Sequence, residues 1–154
     1  MKSFSVENSL NTIVRSARHG DVPTIALLCG QLGYPVSERE MLKRFESISD
    51  KKKQHFFVAE AAGRIIGWLE VFQPCSVLNR NDAEVGALIV EESARNAGVG
   101  KKLMDRAEEW AREYHCTAVY LRSNIVRREA HTFYEGRGYK IMKTQHVFRK
   151  ELEA

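Results

Sequence analysis

The chain has 154 residues, 44% of them hydrophobic and 29% charged, with a formal net charge of +4. That size supports one core without a metal or disulfide, and the mild basicity suits a polyanionic ligand but falls well short of proof of nucleic-acid binding. Three cysteines, Cys29, Cys75 and Cys116, are an odd number without paired spacing, which excludes a disulfide framework and places the protein in a reducing cytoplasm. No apolar run is long enough to span a membrane, and residues 1–11 lack the apolar core of a signal peptide, so they read as a polar tail ahead of a single domain at 12–154.

From Thr12 to Arg18 the chain reads as a strand. Asp21 and Pro23 then supply an N-cap and a first-turn proline for a helix with Ile25, Leu28, Cys29 and Leu32 on its apolar side. Gly33-Tyr34-Pro35 ends it. Ser37 with Glu40 forms a capping-box pattern for a second helix, whose apolar side is Met41, Leu42, Phe45 and Ile48. Asp50 to Lys53 reads as a solvated loop. Phe56–Glu60 and Ile65–Phe72 are strands joined around Ala62-Gly63-Arg64, a hairpin signal.

Glu84 to Tyr114 is the most informative stretch. Glu84-Val-Gly-Ala-Leu-Ile-Val90 has strand character, and Val99, Leu103, Ala107, Trp110 and Tyr114 recur at helical spacing. Between them lies Arg95-Asn96-Ala97-Gly98-Val99-Gly100. A glycine loop at a helix start directs unused N–H groups and the positive end of the helix dipole at one spot, which suits a phosphate. Lys101 and Lys102 fall in the first turn, where the dipole disfavours cations, and an anion there would account for them. A P-loop would need a glycine at Arg95 and Ser or Thr at Lys102; a dinucleotide fingerprint would need a glycine at Leu103. Neither fits.

Thr117–Arg122 is a further strand, so strand, helix and strand form a right-handed parallel crossover. Arg127–Glu135 is a last helix with Ala130, Phe133 and Tyr134 on one side, stopped by Gly136 and Gly138. Tyr139–Met142 and Gln145–Phe148 read as closing strands.

The Arg-x-x-Gly-x-Gly loop after a strand resembles the acetyl-CoA pyrophosphate loop of the GCN5-related N-acetyltransferase superfamily. Ala130-x-x-x-Tyr134-x-x-x-Gly138-Tyr139 is similar to its C-terminal motif, in the right order and spacing. The resemblance implies an α+β acyl-CoA N-acyltransferase (GNAT) fold, with a mixed central sheet of six to seven strands flanked by about four helices. It implies transfer of an acetyl group from acetyl-CoA to a primary amine by direct attack in a ternary complex. Main chain at Leu88, Ile89 and Val90 would hold the pantetheine arm, Arg95, Asn96, Ala97, Gly98, Val99, Gly100 and Lys101 the pyrophosphate, and Asn124 the region near the thioester. Tyr134 would be the general acid and contact the cofactor; Glu84 would be the general base, and His131 lies on the same helix face as Tyr134. The first two helices would wall the acceptor site, with Tyr34, Glu38, Phe45, Trp68 and Phe72 as lining. The resemblance also implies a homodimer, for which the closing strands near Gln145–Phe148 offer an edge.

No metal is implied, because the five histidines and three cysteines show no zinc spacing. His115 and Cys116 are adjacent and so cannot form a nucleophilic dyad. Two readings compete with the enzyme: a catalytically silent acyl-CoA sensor, and a helix-turn-helix regulator built on the first two helices. The second helix mixes Glu38, Glu40 and Glu46 with Arg39, Lys43 and Arg44, leaving no basic face for DNA. No nucleic acid or membrane partner is expected.

Overall fold

The computed structural model describes residues 11–49 and 53–153. The expected polar tail and the loop at 50–52 fall outside them, apart from Asn11 and Lys53. The chain divides into two compact units, the first running to Leu121 and the second from Arg122.

The first unit holds β1 (Ile13–Ser16), α1 (Val22–Gln31), α2 (Glu38–Ser49), β2 (Gln54–Ala61), β3 (Arg64–Phe72), β4 (Asp82–Val90), α3 (Val99–Glu113) and β5 (Ala118–Leu121). The sheet order is β1-β2-β3-β4-β5, antiparallel except for the parallel β4–β5 pair. Ala62 and Gly63 both have positive φ, 50° and 73°, the conformation of a two-residue turn whose twist matches the flanking strands. On one sheet face α3 buries Val99, Leu103, Met104, Ala107, Trp110 and Ala111. On the other, Ile25, Leu28 and Cys29 of α1 and Met41 and Phe45 of α2 close over Phe56, Val58, Trp68 and Ile89. Among the described residues no helix is long and apolar enough to cross a membrane.

The second unit holds one helix, α4 (Arg128–Gly136), and no strand among its described residues. The sheet therefore has five strands, not six to seven. The segments expected to close it, Tyr139–Met142 and Gln145–Phe148, form no ladder, and Ile141, Met142, Val147 and Phe148 are 69–93% exposed. Lys140 lies within the first of these four-residue runs, Lys143 follows it and Arg149 follows the second; apolar spacing confers strand propensity, but a strand persists only where its backbone finds a partner. The edge on which a homodimer was expected is accordingly absent from the described residues.

Two cap expectations divide. Ser37 Oγ accepts the Glu40 N–H at 3.1 Å, as the capping pattern requires. Asp21 does not cap α1; its carboxylate turns back to accept the Arg18 N–H at 2.7 Å and both terminal guanidinium nitrogens of Arg15 at 2.8 and 3.0 Å. Arg15 also binds Glu60 at 2.8 Å, so one cation pins β1, β2 and the start of α1 together. Burial alone would raise the Asp21 pKa, but the bonds from Arg15 and Arg18 outweigh it and hold the carboxyl below its ordinary value. The stability this adds is complete above the ordinary carboxylate pKa and is lost as pH falls through the folded-state value. Urea titrations should show Asp21→Asn destabilised by about 1–3 kcal/mol at neutral pH. The gap to wild type should begin to narrow below about pH 4, where the unfolded chain's carboxyl takes up its proton, and close at the lower pH where the native carboxylate does so; a gap independent of pH would remove the ion pair as its cause.

Candidate active site

Between Glu70 and Val71 the β3–β4 register shifts: Glu70 faces Ala87 while Val71 faces Val85, leaving Gly86 as the extra residue of a bulge. The β5 ladder covers only Asp82–Val85 of β4. From Gly86 to Val90, β4 is therefore paired to β3 alone among the described residues, none of which forms a strand beside its other backbone edge. Ile89 is 7% exposed and sits in the apolar core, so only its main chain is placed for a ligand; Leu88 and Val90 are half-buried.

After β4 a short turn, Glu92–Ala94, leads into the glycine loop. Arg95 is extended and its Nε donates to the Val90 carbonyl at 3.2 Å, closing the loop back on the strand. Asn96 and Gly98 have φ of 59° and 80°. A Cβ on Gly98 would meet nothing within 4 Å, so glycine is needed there for its left-handed backbone rather than for space. No side chain caps α3. The first-turn N–H groups at Val99, Gly100 and Lys101 lack helical acceptors by construction and point out of the helix start. What fixes this helix start is Gly67 on β3, where an added Cβ would stand 2.9 Å from the Ile89 carbonyl, 3.2 Å from Leu103 Cδ1 and 3.4 Å from Val99 Cγ1.

The lysines behave otherwise than expected. Lys101 Nζ binds Asp105 at 2.9 Å and Lys102 Nζ binds the Thr12 carbonyl at 3.0 Å. Each therefore has a partner within the protein, and their place in the first turn does not by itself require an anion.

Strand register aligns Gln54, Phe72, Glu84 and Tyr120 across β2, β3, β4 and β5. Glu84 is 7% exposed, and the Tyr120 hydroxyl donates to its Oε2 at 2.7 Å. One row away, Gln54 Nε2 donates to Glu70 Oε1 at 2.8 Å. Burial raises the Glu70 pKa, the Gln54 bond opposes this, and the charge of Glu84 raises it further. Tyr120, Glu70 and Gln54 were not identified from the sequence, because their proximity to Glu84 is set by cross-strand register and by a bulge.

In the second unit, Tyr134 lies on α4 with its ring edge-on to Phe133 and Tyr139, centroids at 5.1 and 6.0 Å. Burial raises its phenol pKa above 10 against the opposing charge of Arg127, so the hydroxyl carries its proton at neutral pH. Asn124 Oδ1 accepts the Val126 N–H at 3.1 Å, and its carbonyl meets His131 Nε2 at 3.0 Å and the Arg127 N–H at 3.0 Å. These residues build the turn into α4.

The expected acceptor wall also divides. Phe45 and Trp68 are each 5% exposed and pack on either side of Phe56, ring centroids 5.6 and 5.5 Å away, so they anchor the helices to the sheet. Tyr34 and Glu38 are exposed, and Phe72 lies over the bulge, its Cε1 2.9 Å from where a Gly86 Cβ would stand. Among the described residues no three His, Cys, Asp or Glu side chains are grouped to hold a metal ion.

The sequence model of the Acetyltransferase (GNAT) family matches residues 23–139. An aminoalkylphosphonate N-acetyltransferase of Salmonella typhimurium is 28% identical over 129 residues, covering 82% of this chain and 84% of the relative. Among solved structures, a transcriptional regulator from Bacillus halodurans superposes with a TM-score of 0.80 at 22% identity, over 90% of this chain and 99% of that one. The aminoglycoside N-acetyltransferase AAC(6')-Iy, solved with CoA, superposes with a TM-score of 0.80 at 18% identity, over 92% and 95% of the two chains. At those identities the superpositions establish a shared fold. With a splayed β4 running into a left-handed glycine at the helix start, and the family model matched along most of its length, the chain belongs to the Acetyltransferase (GNAT) family and is an N-acetyltransferase.

Proposed function

We propose that the protein transfers an acetyl group from acetyl-CoA to a primary amine by direct attack in a ternary complex, with residues 12–154 acting as one domain. The observation that carries this is the departure of β5 from β4 after Val85, which leaves a free strand edge running into the N-terminus of α3. An amide-bearing pantetheine arm can pair with such an edge as a further strand would, and a pyrophosphate is suited to the N–H groups at Val99, Gly100 and Lys101. The family match spans both units, which supports a single domain, and the three free thiols support a reducing cytoplasmic setting. The relatives named for an aminoalkylphosphonate and an aminoglycoside support an amine acceptor.

In this reading Glu84 takes a proton from the acceptor ammonium, and the Tyr120 hydroxyl fixes the carboxylate that receives it. The neutral amine attacks the thioester carbonyl, β4 main-chain N–H groups receive the oxyanion, and the C–S bond breaks as Tyr134 gives its proton to the departing thiolate, while the nitrogen's surplus proton leaves to water and the phenolate regains one from solvent. The burial that keeps Tyr134 protonated supports its role as donor.

Three substitutions test the assignment. Gly98→Val forces a β-branched residue into a left-handed backbone and should weaken acetyl-CoA binding by calorimetry about tenfold or more, as N–H contacts to phosphate are lost. Undiminished affinity in a folded variant would move the pyrophosphate elsewhere. Tyr134→Phe keeps the ring and deletes the hydroxyl; kcat should fall by about 10²–10⁴ with acetyl-CoA affinity little altered. A wild-type rate would return Tyr134 to a packing role. Glu84→Gln should lose most activity at low pH, where an alkyl amine of pKa about 10 is almost wholly protonated, and recover as pH rises. A pH-independent deficit would exclude Glu84 as the base.

A further inference from the structure

Transfer of an acetyl group to an ammonium strips two protons from nitrogen, one before the attack and one after it. In the proposed mechanism Glu84 takes the first, and the second reaches water from the nitrogen of the tetrahedral intermediate. Glu70 stands where it can take that second proton. It lies on β3 two residues before Phe72, which faces Glu84 across the ladder, so Glu70 and Glu84 are diagonal neighbours on one face of the sheet, about 7–8 Å apart at the backbone and within reach of long side chains. Gln54 donates to Glu70 Oε1 at 2.8 Å and fixes the carboxylate, which forms no salt bridge with any described residue. Oε2 lies over the β4 bulge, 2.9 Å from where a Cβ on Gly86 would stand, with Phe72 Cε1 at the same distance. Gly86 does not have positive φ, so glycine is needed there for space rather than for its backbone conformation. Ala83, Glu84 and Val85 are buried whereas Gly86 is exposed, so the surface of β4 opens where the Glu70 carboxylate stands.

We infer that Glu70 is a second catalytic carboxylate, the group that takes the surplus proton from nitrogen once the C–N bond has formed. This deepens the N-acetyltransferase reading above and rests on it. After the attack the nitrogen carries a positive charge and two hydrogens. Glu70 Oε2 accepts one of them as a proton and the N–H electron pair stays on nitrogen; the oxyanion's electrons then restore the carbonyl and expel the thiolate, which Tyr134 protonates. Glu70 and Glu84 each shed one proton to solvent and the phenolate regains one, so each acetyl transfer releases a single net proton. Gln54 of β2 and Glu84 of β4, with Tyr120 of β5 bonded behind it, are the polar groups that face Glu70 from the neighbouring strands. Burial raises the Glu70 pKa, the Gln54 bond opposes this and the charge of Glu84 raises it further, which makes Glu70 a stronger base than an ordinary carboxylate.

Steady-state release of CoA with butylamine, putrescine and aminoethylphosphonate tests this. Glu70→Gln keeps the side-chain shape and an oxygen for Gln54; for whichever amine wild type uses best, kcat should fall about 10²-fold with the amine KM and acetyl-CoA affinity within about twofold. Raising the pH should leave this deficit in place, because nitrogen sheds its second proton even when the amine enters neutral, whereas the Glu84→Gln deficit shrinks. In a folded Glu70→Ala protein, added formate should restore part of the lost kcat by supplying a carboxylate in the vacated space, a gain that a packing role would not produce. A wild-type kcat in Glu70→Gln, a deficit that raised pH abolishes, or no gain from formate would overturn the inference and leave the acetyltransferase reading standing. If wild type acetylates none of the three amines, both fall.

Discussion

The constraint on which the site depends is that β4 has two strand partners for four residues and one thereafter. A strand bonded on both edges has no spare backbone groups, whereas one released on one side offers them in a row. Two glycines serve this arrangement from opposite faces. Gly86, on the bulge, makes room for Glu70 and Phe72, and Gly67 lets α3 settle so closely that its first turn touches β3. A Cβ at position 67 would press on the Ile89 backbone carbonyl and so on the strand edge itself, whereas one at position 86 would press on the ends of the Glu70 and Phe72 side chains.

Polar groups are held at both ends of the helix-covered sheet face. At the β1 end, Arg15 is bonded to Asp21 and Glu60, and the group is neutralised within the protein. At the β5 end, Gln54 donates to Glu70 and the Tyr120 hydroxyl donates to Glu84. A hydroxyl donor fixes the position of a carboxylate and leaves it able to exchange a proton. Between these ends Phe45, Phe56 and Trp68 stack into the layer that joins α1 and α2 to the sheet.

Local features were legible in the sequence. The order of elements through α4, the Ser37 cap, the Ala62-Gly63 turn and the glycine loop at the start of α3 each depend on residues within a few positions of one another, where spacing and turn chemistry are informative. What could not be read was whatever register decides. Glu84 stood out as a carboxylate in an apolar strand, but Tyr120 is 36 residues away from it and Gln54 is 16 from Glu70. Asp21 had the right type and place for a cap and found a stronger partner in Arg15, a choice made by tertiary contact over local propensity. The segments after Tyr139 had the composition of strands, and composition cannot supply a neighbouring backbone.

In the first unit each strand pairs with the strand before it in the chain, so spatial order and chain order coincide. The antiparallel ladders β1–β2, β2–β3 and β3–β4 differ greatly in loop length: two residues close β2 onto β3, whereas α1 and α2 intervene before β2 can meet β1. Loop closure costs more as the loop lengthens, and ladders with short loops form first. The hairpin of β2 and β3 is therefore the natural nucleus, with β4 adding to it next. The parallel strand β5 must wait for α3 to complete its crossover, so the partner whose early departure opens the site joins the sheet late.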